Sequence, residues 1–90
     1  MSDSDREDLV KELENYYSIG KDYANVLSSL LLQFKTRVAV LDDDMQFLSD
    51  TERVRYLVET IAIMEQFNGY ALMCKTAVNK CDEIVSKLGL

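Results

Sequence analysis

An all-α protein, folded as an antiparallel hairpin of two long helices, is what this sequence predicts, and three observations predict it. None of the 90 residues is proline, and glycine occurs only at Gly20, Gly69 and Gly89. Apolar residues recur almost throughout at steps of three and four, the spacing of one helix face. Proline and glycine are the residues that stop helices, so little interrupts that spacing.

The first helix is expected over about residues 4–46. Ser4-Asp5-Arg6-Glu7 fits a capping box, and acids crowd the first turn, where the helix dipole favours negative charge. A near-heptad seam follows through Leu9, Leu13, Tyr16, Gly20, Tyr23, Leu27, Leu30 and Phe34. It continues through Val38, Leu41, Met45 and Leu48 after a stutter at Phe34. Three consecutive aspartates, Asp42, Asp43 and Asp44, repel one another and weaken the helix, which predicts a turn before Leu48.

A second capping box at Ser49-Asp50-Thr51-Glu52 predicts a helix over about 50–88. Its apolar steps read Val54, Leu57, Ile61, Met64 and Phe67, then Ala71, Cys74, Val78, Cys81, Val85 and Leu88. Lys87 in the last turn and Gly89 just beyond it are the expected stop. A short connection near residue 48 makes the helices antiparallel and pairs residues whose numbers sum to about 97. Gly20 then faces Ala77, and Gly69 faces Ser28 and Ser29. Both glycines are read as close-approach or bend sites. The competing fold is a compact bundle of four shorter helices, broken at Gly20 and Gly69.

The 90 residues suffice for one domain. Four consecutive apolar runs stand out: Leu30, Leu31 and Leu32; 38–41 with Val38, Val40 and Leu41; 61–64 with Ile61, Ile63 and Met64; and 70–74 with Tyr70, Leu72 and Met73. Successive helical residues turn by about 100°, so four in a row are apolar nearly all the way round. One partner helix covers one side, so these belts call for further helices. They are the expected interface, and a four-helix bundle of two hairpins is the expected assembly.

Chemistry is sparse. The chain has no histidine, the commonest general base and a frequent metal ligand. Cys74 and Cys81 have no base beside them and stand about 10 Å apart along one helix, too far for a disulfide within it. They are expected to be reduced thiols of a cytoplasmic protein. The segment 42–53 opens Asp-x-Asp like a calcium loop, yet Phe47 and Arg53 occupy its sixth and twelfth positions, where glycine and glutamate are required. No catalytic residue, cofactor or metal site is expected.

The net charge is −6, and residues 1–14 hold six acids against Arg6 and Lys11. No basic stripe exists to displace counterions from nucleic acid, and an anionic membrane would repel the chain. The acidic start is not a signal peptide, and no apolar run is long enough to span a bilayer. Most aromatic residues fall on or beside the seam, while Tyr17 and Tyr56 fall off it and are expected on a partner surface. These features point to a non-enzymatic subunit that self-associates or joins another helical protein. The competing function is a small acidic inhibitor or regulator that occupies a basic surface of another protein.

Overall fold

The computed structural model describes residues 2–90 as two helices joined by one tight turn. Helix α1 is Asp3–Asp44, a 3₁₀ turn covers Met45–Phe47, and helix α2 is Asp50–Lys87. The helices pack side by side along their length, and no strand occurs among the described residues.

The cap of α1 differs from the expected one. Ser2, not Ser4, is the N-cap, and its hydroxyl accepts the Asp5 amide at 3.1 Å. The repeated Ser-Asp offers two possible starts. The earlier one adds a residue pair to the helix and leaves Asp3 and Asp5 in its first turn, at the positive end of the dipole. At α2 the expected box forms: Ser49 Oγ accepts the Glu52 amide at 3.2 Å and donates to Glu52 Oε1 at 3.1 Å. The glutamate thus closes on the serine hydroxyl rather than on its backbone amide.

The far end stops as the residues dictate. Gly89 has φ +78°, its amide donates to the Ser86 carbonyl, and the Leu90 amide donates to Val85. That is the Schellman arrangement, which satisfies carbonyls the helix leaves unpaired.

Neither internal glycine breaks its helix, so the compact four-helix alternative is incorrect. The molecule measures 67 × 16 × 14 Å with a radius of gyration of 20.0 Å, against about 12 Å for a compact chain of this length. Glycine inside a helix costs only about 1 kcal/mol relative to alanine, which the packed seam on either side overcomes. Gly20 is the close-approach site expected: a Cβ built there lies 3.5 Å from Ala77 Cβ. Gly69 is not, because a Cβ there meets nothing within 4 Å. Replacing Gly69 with alanine should therefore stabilise the hairpin by up to about 1 kcal/mol. Thermal denaturation should show the midpoint rising by about 4–8 °C for that gain. Gly20→Leu should instead lower it, since a larger side chain drives the helices apart.

The seam of α1 runs as the spacing predicts, with every expected member in the described turns buried or half-buried. The stutter at Phe34 is filled by Arg37, which keeps the three-four rhythm unbroken from Phe34 to Leu41. Its guanidinium lies 5.0 Å from the Tyr56 ring centroid and 3.1 Å from Glu59. In α2 the expected seam is displaced by one residue through its first half and again at Val78 and Val85, where Ala77 and Ile84 are the buried residues. Arg53, Tyr56, Thr60 and Ile63 face α1, while Val54, Leu57, Ile61 and Met64 are exposed. Thr60 is buried without penalty because its hydroxyl donates to the Tyr56 carbonyl at 2.8 Å. From Phe67 through Cys74, Ala77, Cys81 and Ile84 to Leu88 the seam is regular, and Tyr70 stands against Tyr23 with ring centroids 6.0 Å apart.

Candidate interaction surface

Among the described residues only five apolar side chains are buried: Leu30, Ile63, Ala77, Ile84 and Leu88. Seventeen large apolar side chains are exposed. A compact chain of 10.3 kDa exposes about 5,350 Å², whereas this one exposes 6634 Å². The difference is the geometry of a two-helix rod, which gives each helix one neighbour and leaves its other sides to solvent.

That surface is ordered. Counting from the seam, the residues one step beyond it on α1 are Val10, Tyr17, Ala24, Leu31 and Val38, spaced by seven. On α2 the matching row is Leu57, Met64, Ala71, Val78 and Val85, again spaced by seven. All ten are apolar, and none is buried. In an antiparallel pair these two rows lie on the same flank. Leu31 and Met64 do share one groove there, about 200 Å³ in volume, with Phe34, Ile63, Phe67 and Asn68.

The opposite flank is mixed. Ile19 and Met73 line a shallower hollow with Tyr16, Tyr23 and Lys80. Its row on α1 is Glu12, Ile19, Val26, Gln33 and Val40, and on α2 Met73 stands in a row otherwise of Glu52, Glu59, Gln66, Lys80 and Lys87. A helix in a two-stranded seam needs only the two seam rows apolar, whereas a helix facing the core of a larger bundle needs a third. One flank of this hairpin has that third row and the other does not.

The twelve residues expected at an interface divide accordingly. Leu30 and Ile63 are hairpin core, a correction that follows from their seam positions: each is buried against the other helix. Leu31 and Met64 lie on the apolar flank, 41% and 47% exposed. Val38 joins them, half-buried, while Val40 and Leu41 are half-buried near the turn. Leu32, Ile61 and Leu72 lie outside the seam and are at least half exposed. Tyr70 and Met73 border the mixed flank. Of the two tyrosines expected off the seam, Tyr17 is free, 63% exposed. Tyr56 is not, because the Arg37 side chain covers it. Val10 and Ala24 have no place in the expected seam, whereas Val78 and Val85 are expected seam members that the structure sets one step beyond it, outside the buried Ala77 and Ile84. Their signal is the strict seven-residue step, which is visible only once the seam is fixed.

Elsewhere the surface offers less. The hollow along the first turns of α1 interleaves Arg6 and Lys11 with Asp3, Glu7 and Glu14, so its acidity is diluted. Cys74 and Cys81 are free and half-buried in the seam, with Cys74 Sγ 3.7 Å from the Gly20 carbonyl. No helix among the described residues is long and apolar enough to cross a membrane. No family model, curated protein or solved structure matches the chain.

Proposed function

We propose that this chain is a non-enzymatic interaction subunit, a structural or adaptor component whose work is to pack its apolar surface against other helices. The observation that carries this reading is the imbalance between five buried and seventeen exposed large apolar or core side chains on a rod that exposes about 1,300 Å² more than a compact chain of its mass. Soluble monomers rarely present contiguous apolar patches beyond a few hundred Å². Burying such area contributes about 25 cal/mol per Å². Charges at the rim set register rather than supply the affinity. The partner is a protein, neither nucleic acid nor membrane, and free seam thiols suit the reducing cytoplasm.

Salt separates this function from that of an acidic inhibitor. Raising ionic strength from 0.1 M to 1 M shortens the Debye length from about 10 Å to about 3 Å. An apolar helical interface should keep or gain affinity over that range, measured by pull-down under native conditions and by sedimentation. A steep loss would instead identify an acidic decoy for a basic surface.

A further inference from the structure

We infer that the apolar flank seats a second copy of this chain, with the two rods antiparallel and related by a twofold axis through the layer formed by Ala24 and Ala71. This rests on the interaction-subunit reading and names its partner, its face and its orientation.

Three observations lead there. The first is area. An obligate homodimer interface of about 2,000 Å² takes about 1,000 Å² from each chain, less than the roughly 1,300 Å² by which the whole rod exceeds a compact chain of its mass.

The second is shape. With residue sums near 95, the flank forms five layers: Val10 with Val85, Tyr17 with Val78, Ala24 with Ala71, Leu31 with Met64, and Val38 with Leu57. The smallest layer is the middle one, where a twofold axis brings a surface against itself. Rotation about that axis lays α1 on α1 of the second copy and sets Tyr17 over Leu31. The exposed Tyr17 ring of one copy then enters the groove lined by Leu31, Phe34, Met64 and Phe67 of the other.

The third is charge, and it selects the orientation. The row bordering the flank on α1 is Glu14, Lys21, Ser28, Lys35 and Asp42, and on α2 it is Val54, Ile61, Asn68, Lys75 and Asp82. With rods antiparallel, Glu14 meets Lys35 of the second copy, an opposite-charge pair, and Asp42 meets Glu7, a single like-charge pair. With rods parallel, α1 lies on α2 of the second copy. Glu14 then meets Asp82 and Lys21 meets Lys75, two like-charge pairs that disfavour that assembly.

The test uses the full chain. Sedimentation equilibrium of the wild type should give twice the monomer mass, about 21 kDa. In a Cys74→Ala, Cys81→Ala background whose helicity is checked first, Ala24→Cys should cross-link to itself through a short bismaleimide in most molecules. Leu32→Cys should not. A mixture of Tyr17→Cys and Leu31→Cys chains should join to each other, which serves if the Ala24 variant fails to fold. A dimer in which neither combination cross-links overturns the face and orientation while leaving the interaction-subunit reading intact. A wild type that stays at 10.3 kDa at the highest attainable concentration overturns self-association. The native pull-down then decides the broader reading separately: if no partner is retained, that fails too.

Discussion

Ile84→Asp should abolish the hairpin. Ile84 is the most buried side chain of the molecule, 2% exposed, near the open end where α1 and α2 meet without a covalent turn to hold them. Losing a buried isoleucine to alanine costs about 2–5 kcal/mol through lost transfer energy and the cavity left behind. Aspartate adds a carboxylate with no partner in an apolar layer, worth several kcal/mol more unless the helices separate. A domain's whole stability is about 5–15 kcal/mol, and this chain has only five buried apolar side chains from which to build it. The expected result is loss of most helical ellipticity at a concentration where the wild type is folded. Ile84→Val, costing about 0.5–1.5 kcal/mol, should stay folded. Retained helicity in the aspartate variant would show that the open end is not held by this seam.

A contrasting outcome is expected of Leu31→Asp combined with Met64→Asp. Both positions are nearly half exposed in the hairpin, so their carboxylates remain hydrated while the chain is alone. Across the proposed twofold interface the same substitutions bring two charges into each of two closed apolar layers, each charge costing several kcal/mol. Since about 1.4 kcal/mol is a factor of ten in affinity, self-association should weaken by a thousandfold or more. The product should be a helical monomer of lower stability, detected as halved mass in sedimentation with ellipticity retained at low temperature. Leu32→Asp, 68% exposed and directed away from the flank, is the matched control and should keep the wild-type mass. If the double variant also keeps it, the flank is not where copies meet.

The legibility of the two helices in the sequence differs, and the reason is chemical. In α1 the seam is apolar from Leu9 to Phe34, apart from Gly20, so spacing alone finds it, and the pairing of Gly20 with Ala77 follows from the register. In α2 the first seam residues are Arg53, Tyr56 and Thr60. A search for apolar spacing passes over them and settles one residue further on, at Val54, Leu57, Ile61 and Met64. What reinstates the polar residues is local hydrogen bonding and stacking: Thr60 on the Tyr56 carbonyl, Tyr56 beneath Arg37, Arg37 on Glu59. None of these is visible before the helices are placed together. The consecutive apolar runs correctly indicated more surface than one neighbour can cover. A run by itself does not show which of its members faces inward, so spacing alone does not separate Leu30 and Ile63 from their exposed neighbours Leu31 and Met64.

The turn carries a consequence for the topology itself. Residues 45–49 contain neither proline nor glycine, so no obligatory breaker separates α1 from α2. The reversal depends on Leu48 and Ser49 holding extended backbone, on the Ser49 cap, and on Arg53, whose Nε donates to both the Met45 and Leu48 carbonyls at 3.1 Å. Those carbonyls are groups that a continued helix would bond internally. Arg53 therefore supports the reversal by donating to two carbonyls at the turn. With no obligatory breaker in the sequence, the direction in which α2 leaves α1 is fixed by a handful of polar contacts at the turn and not by the apolar pattern of either helix.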